Sequence, residues 1–222
     1  MIKLKYDLHT HSKYSADGFL EPEKIVETAM RKGLSGIAIT DHNTINGALK
    51  AKRYETNDFN VICGSEISTE RGEVIGLFLS SEIISHTFID VVEEIREQDG
   101  IIILPHPYDN LRKNGIHLEK KEVKLIDGIE IYNSRCMFQK YNNDALHFAK
   151  KNNLIGVAGS DAHFAREIGN AGVFISEGNI RNTIISGDLC PFGKKSSLTN
   201  LVATKLIKTW RDLSHSKFRP ID

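Results

Sequence analysis

About seven times along this chain a short apolar run breaks off into a cluster of imidazole, carboxylate or amide side chains. Leu34 to Thr40 runs into Asp41-His42-Asn43, Asn60 to Gly64 into Ser65-Glu66, and Gly100 to Leu104 into Pro105-His106-Pro107. Gly128 to Tyr132 ends at Asn133-Ser134-Arg135, and Leu154 to Ala158 leads to Gly159-Ser160-Asp161-Ala162-His163. Segments with apolar residues at helical spacing stand between them: Ile25, Val26, Ala29 and Met30, then Phe88, Val91, Val92 and Ile95, then Tyr141, Ala145, Phe148 and Ala149. Strands alternating with helices in one direction predict a parallel sheet, closed into a barrel or doubly wound. A chain of 222 residues suits one such barrel. The polar clusters then all fall just after strands, at the end where barrels gather their functional loops.

The first run is the most informative. Ile2, Leu4, Tyr6 and Leu8 alternate with Lys3, Lys5, Asp7 and His9, which is the period of a strand. Residues two apart on a strand point to one side, so His9 and His11 project together and can share a metal ion. The strand-end residues His9, His11, Asp17, Asp41, His42, Glu66, His106, Asp161 and His163 would all crowd one rim. Singly they have ordinary uses: Asp17 and Asp41 as helix caps, His106 as a turn residue between prolines, Glu66 as a partner for lysine. Gathered without counter-ions they would repel and desolvate at high cost, and divalent cations relieve that cost. The mixed nitrogen and oxygen donors, with no thiolate, suit Mn, Fe or Zn.

Acidic and basic residues balance at 29 each, so no overall positive field gathers nucleic acid, although a nucleotide in a cleft is not excluded. The three cysteines, Cys63, Cys136 and Cys190, are odd in number and far apart, which predicts reduced thiols and a cytoplasmic setting. The start of the chain does not resemble a signal peptide, and no apolar run is long enough to span a bilayer. Residues 1–190 are expected to form the barrel. Past Pro191 a loop should lead to an amphipathic helix from Ser197 to Leu213, its stripe of Leu198, Leu201, Val202, Leu206 and Trp210 packed on the same domain.

Five motifs in order, Asp7-Leu8-His9-Thr10-His11-Ser12, Thr40-Asp41-His42-Asn43, Glu66, Leu104-Pro105-His106-Pro107 and Gly159-Ser160-Asp161-Ala162-His163, resemble the PHP family, the polymerase and histidinol phosphatase superfamily. The resemblance covers nearly the whole chain. It implies a distorted (β/α)7, TIM-like barrel holding two or three divalent metal ions (Mn, Fe or Zn) at its C-terminal rim, and phosphoester hydrolysis. By position, His9, His11, Glu66 and Asp161 correspond to one metal site, and Asp17, His42 and His163 to a second. His106 corresponds to a ligand of a third ion that Glu66 would bridge. The chain departs from the family pattern at that third site, since Glu73 to Leu77 contains no histidine and Tyr132-Asn133 stands where another is often found. His86, His117, His147 and His215 lie outside the motifs and are expected to be surface or structural.

The expected reaction is in-line attack on phosphorus by water that the ions have acidified, with Asp161 or His163 moving a proton. Arg135 is expected to act in catalysis and, with Arg166, to bind the phosphate, because a forked guanidinium matches it. The expected substrate is a small phosphorylated molecule, a nucleotide or short oligonucleotide phosphodiester ahead of a phosphomonoester of the histidinol phosphate or phosphotyrosine kind. A non-catalytic interaction module is the alternative from another class. No membrane and no obligate protein partner are expected.

Overall fold

The structure is a computed structural model that describes residues 3–112, 115, 116, 118–176 and 178–216, with Lys208 and 210–216 described by backbone alone. Strand β1 (Leu4–Asp7) leads to helix α1 (Pro22–Arg31), strand β2 (Gly36–His42) and helix α2 (Asn46–Ala51). Strands β3 (Asn60–Thr69) and β4 (Gly72–Leu77), helix α3 (Phe88–Glu97) and strand β5 (Ile101–Leu104) follow. Then come β6 (Gly128–Asn133), α4 (Gln139–Asn152), β7 (Ile155–Gly159), β8 (Ala171–Ile175), α5 (Ile180–Ser186), β9 (Leu189–Gly193) and α6 (Leu198–Ser216).

Local chemistry explains several of these boundaries. Pro22 opens α1, where its missing N–H costs nothing, and Gly33, at φ +72°, turns the chain after it. Thr87 caps α3 by accepting a hydrogen bond from the Asp90 amide. The polar stretch 119–125 yields only a turn of 3-10 helix at Val123–Leu125, having too little apolar face to hold a longer one.

The nine strands form one sheet in the order β7-β6-β5-β4-β3-β2-β1-β8-β9, and β7 returns against β8 and β9 to make a nearly closed, distorted TIM-like barrel. The sheet is mixed rather than uniformly parallel. Strand β4 is antiparallel to both neighbours, and β8 runs antiparallel to β1 and β9. The reason lies in the connections: β3 and β4 are joined by only two residues, Glu70 and Arg71, too few for a crossover. Strand β9 runs past Pro191 into residues expected to be loop, and Pro191 is tolerated because β9 is an edge strand.

At the rim the barrel closes differently. Past β1 and β7 the chain forms a short parallel pairing, with the Asp161 amide donating to the His9 carbonyl at 2.8 Å and the His11 amide to that of Ala162 at 2.9 Å. On the other side of that segment the Thr40 amide bonds the Thr10 carbonyl. Below the rim, Tyr6, Leu8, Ala38, Ile62, Ile75, Ile103, Val157 and Val173 fill the interior. Alternate residues Ile37, Ile39 and Val61 turn outward against Ile25, Ala29 and Ala48 of α1 and α2. Each fully buried aliphatic side chain contributes about 1.5–3 kcal/mol, so a firm core sits directly beneath the polar rim.

Helix α6 lies the other way round from the expectation. Leu198, Val202 and Leu206 are exposed, whereas Asn200 and Thr204 are buried. The buried guanidinium of Arg135 accounts for this, because it needs oxygen acceptors and takes them from Thr204 Oγ1 at 2.8 Å and the Asn200 carbonyl at 3.4 Å. The Trp210 side chain lies outside the described residues.

Candidate metal centre

Strand pairing builds the centre. The parallel register of β2 and β3 sets His42 directly opposite Glu66, though 24 positions separate them in the chain. The rim pairing brings His9 and His11 beside Asp161. Two members occupy the left-handed backbone region rarely used by residues other than glycine, His106 at φ +28° and Asp161 at φ +54°. Such positions cost about 1–3 kcal/mol each and persist where surrounding bonds fix them. Here the Asp161 amide is held by the His9 carbonyl and the His106 amide by Glu130 Oε2 at 3.0 Å.

All eight residues expected to ligate metal come together. Glu66 stands in the middle: its Oε2 lies 3.4 Å from the Nε2 of both His9 and His11 and 3.3 Å from His42 Nδ1. Its Oε1 faces the other way, 2.9 Å from His106 Nε2. Asp161 Oδ1 is 3.4 Å from His11 Nε2 and 3.5 Å from His163 Nδ1. Asp17 reaches His163 Nε2 at 3.3 Å and His42 Nε2 at 3.6 Å. Within these contacts His9, His11 and Asp161 form one group whose donor atoms all lie within 4.8 Å of one another, and His11, Asp17, His42 and His163 form a second. A third comprises His42, Glu66 and Glu73.

The ring nitrogens facing away from the cluster are tied down. His9 Nδ1 meets Glu130 Oε1 at 3.1 Å, His11 Nδ1 meets Ser15 Oγ at 3.0 Å, and His163 Nδ1 meets the Asp161 carbonyl at 2.9 Å. Asp41 is buried behind the centre, accepting from the Ser12 amide and hydroxyl and from Ser15, so it orients rather than ligates. This bonding assigns the Nδ1–H tautomer to His9, His11 and His163 and leaves each Nε2 turned to the carboxylates.

The electrostatics are those of a compact, largely buried charged cluster. Burial alone would lower the pKa of His9, but Glu66, Glu130 and Asp161 outweigh it and hold the ring well above its usual value. His42 is raised to about 9, as Glu66, Asp17 and Glu73 overcome its burial. His11 is lowered to about 3 by burial and by the neighbouring His163 and His42. Glu66 and Asp161 resist burial and lie well below the carboxylate range, Glu66 through His9 and His42, Asp161 through Arg112 and His9.

Four further residues, none of them among the expected ligands, meet the cluster. Glu73 is the second residue of β4, the strand after the one that carries Glu66, its Oε1 3.6 Å from His42 Nδ1 and its Oε2 3.7 Å from His106 Nε2. Arg112 sits in a loop without a motif, yet its Nη2 is 2.7 Å from Asp161 Oδ2. Glu130 is embedded in the apolar run of β6, where a buried carboxylate amid isoleucines is itself a signal. Asn133 donates to Asp161 Oδ2 at 3.1 Å.

Among the described residues, neither arginine expected at the phosphate pairs with a carboxylate of the cluster. Arg135 is buried against Thr204, Asn200 and, at 3.8 Å, Glu167. Arg166 is exposed and lies over the ring of Phe164 at 5.4 Å. His86 and His147 are exposed, His117 lies outside the described residues, and His215 is described by backbone alone. All three cysteines are unpaired, and among the described residues no helix is long and apolar enough to cross a membrane.

The chain is similar to known proteins over most of its length. Residues 7–172 match the family profile described as PHP domain. An uncharacterised protein of Methanocaldococcus jannaschii is 39% identical over 157 residues, 65% of this chain and 90% of that one. A shorter match, 41% over 78 residues, is to a 5'-3' exoribonuclease of Haemophilus influenzae, covering 33% of this chain and 28% of the other. Among solved structures, a two-domain protein of Bacteroides vulgatus containing a predicted PHP-like metal-dependent phosphoesterase superposes with a TM-score of 0.73 at 21% identity. That likeness covers 87% of this chain and 65% of the other.

Proposed function

Because the chain belongs to the PHP domain family, we propose that it is a metal-dependent phosphoesterase acting on a nucleotide or short oligonucleotide phosphodiester. The observation that carries this reading is the convergence of five histidines on Asp17, Glu66, Glu73 and Asp161 at one largely buried rim. The donor set fits divalent cations. Buried Asp17 Oδ1 faces His163 Nε2 at 3.3 Å without a well-aligned hydrogen bond, and the donor atoms of each group lie within 4.8 Å of one another. We assign His9, His11, Glu66 and Asp161 to one ion, and Asp17, His42 and His163 to a second. His106, with Glu66 and Glu73, would hold a third. Such ions, when bound, polarise phosphoryl oxygens and lower the pKa of water.

The chain's own groups then have distinct tasks. Arg112 is the guanidinium at the cluster and is suited to grip a non-bridging phosphoryl oxygen. His163 and Asp161 are the groups we assign to moving a proton to or from the reacting oxygens. Next to Asp17 and His163, the half-buried rings of Phe19 and Phe164 stack at 5.8 Å with 12° between their planes, and Arg166 lies over Phe164. An aromatic pair flanked by a guanidinium suits a nucleobase, which favours a nucleotide over an aliphatic phosphate. The exoribonuclease relative points the same way.

The test is to load the protein with Mn, Fe or Zn, count bound metal by elemental analysis, and assay aryl monoesters, aryl diesters and short oligonucleotides with and without chelator. Chelator-sensitive turnover of diesters or oligonucleotides is the expected result. Turnover confined to monoesters overturns the substrate assignment, and a fully metallated but inert protein overturns the enzymatic reading.

A further inference from the structure

Glu130 plays no part in the reaction described above, yet it is buried at the junction of three strand ends. Its Oε1 accepts from His9 Nδ1 at 3.1 Å, and its Oε2 accepts from the His106 amide at 3.0 Å and from Asn133 Nδ2 at 2.9 Å. These three partners lie just past β1, just past β5 and at the end of β6, and each leads to the cluster. His9 presents Nε2 to Glu66. His106, held at φ +28°, presents Nε2 to the other oxygen of Glu66. Asn133 passes its remaining amide hydrogen to Asp161 Oδ2 at 3.1 Å. Of the three histidines with a tied Nδ1, only His9 bonds a carboxylate there, the others meeting a hydroxyl and a carbonyl.

We infer that Glu130 is a positioning residue for the metal centre: it fixes His9 as the Nδ1–H tautomer with Nε2 toward the ion and holds His106 and Asp161 in register around Glu66. The inference rests on the metal-centre reading above. A carboxylate in this role acts only through its neighbours, by orienting the ring and raising its basicity, and removing such a partner weakens metal binding about 10–100-fold. An amide cannot replace it. Three donors converge on Glu130, and a glutamine side chain has one acceptor oxygen and must turn its own N–H groups toward the rest.

The experiment compares wild type with Glu130→Gln, measuring zinc affinity by competition with a chelator and the visible spectrum of the cobalt-loaded protein. The melting temperature of each metal-free protein is recorded alongside. The expected result is a 10–100-fold weaker zinc affinity and an altered cobalt spectrum, while the metal-free variant still melts cooperatively. Wild-type affinity and an unchanged spectrum in the variant overturn the inference and leave the metal-centre reading intact. A wild type that binds no metal overturns both. Should the variant not fold, nitrogen-15 NMR of the zinc-loaded wild type decides: His9 protonated at Nδ1 and ligated through Nε2 supports the inference, and the opposite tautomer refutes it.

Discussion

Arg112 places Nη2 2.7 Å from Asp161 Oδ2, while the other oxygen of the same carboxylate lies 3.4 Å from His11 Nε2. One carboxylate thus faces the donor cluster with one oxygen and a guanidinium with the other. Asp109, 3.2 Å from Arg112 Nε, holds the guanidinium from its far side. Arg112→Ala is therefore expected to retain metal while raising KM for a phosphodiester about tenfold, a loss of about 1.4 kcal/mol in binding. Arg112→Lys should recover only part of this, since an ammonium cannot bond bidentately. Metal stoichiometry beside steady-state kinetics makes the check.

Removing a central ligand should cost metal and activity together. His9→Ala and Asp161→Ala each delete a donor from the group formed by His9, His11 and Asp161, and the expected outcome is loss of bound metal with loss of hydrolysis. Elemental analysis of the purified variants, run beside the diesterase assay, tests this. Undiminished turnover in His9→Ala would reject the assignment.

The pH dependence follows from the raised histidines. His42 has a folded pKa of about 9 against an ordinary value of 6.5. A group raised in this way stabilises the fold while protonated, so in the metal-free protein its contribution is complete below pH about 6.5 and is lost as pH rises through about 9. Glu66 and Asp161, held below their ordinary values, act in the opposite sense: their contribution is present at neutral pH and is lost on acidification. Metal must displace the His42 proton, so apparent metal affinity should climb between pH 6.5 and 9. Calorimetric titrations across that range, paired with melts of the metal-free protein, should show the two trends running in opposite directions.

Gly159 ends β7 against the centre. A Cβ there would lie 2.3 Å from His9 Cβ and 2.9 Å from Glu130 Oε1, distances that force one of them to move. Gly159→Ala is expected to destabilise the protein by about 1–3 kcal/mol and to weaken metal retention. Denaturant melts and metal content are the readouts, and a variant with normal values for both would show that the strand end can yield.

Arg135 is expected to report on α6 rather than on metal. Its guanidinium is buried against Glu167 and Thr204, so Arg135→Ala leaves Glu167 without its cationic partner at a cost of about 3 kcal/mol. Thermal melting should show this while metal stoichiometry stays at the wild-type value. An unaltered melting temperature would refute the structural role.

Much of this protein was legible in the order of its residues. Apolar periodicity marks β2, β5, β6 and β7 and the helices α1, α3 and α4, because burial on one face imposes a repeat that needs no knowledge of the neighbours. The strand-end histidines and carboxylates stand out for a similar reason, since such residues placed after apolar runs have few uses other than chemistry. The reversal of β4, the pairing of β8 with β1 and the edge strand β9 were not legible. A strand's direction within a sheet is set by what it pairs with, and pairing partners are distant in the chain. The rotation of α6 was hidden likewise: its apolar stripe predicts burial, yet a buried arginine on another element draws Asn200 and Thr204 inward instead.

The sequence by itself singled out eight candidate donors, as their identities and their places after apolar runs are local facts. Only the tertiary structure decided how the donors face one another and which residues support them from behind. Glu73, Arg112 and Glu130 acquire their roles from atoms contributed by other strands and loops, through distances that no spacing along the chain encodes. A metal centre is a set of short distances, and short distances between remote residues exist only once the sheet has closed.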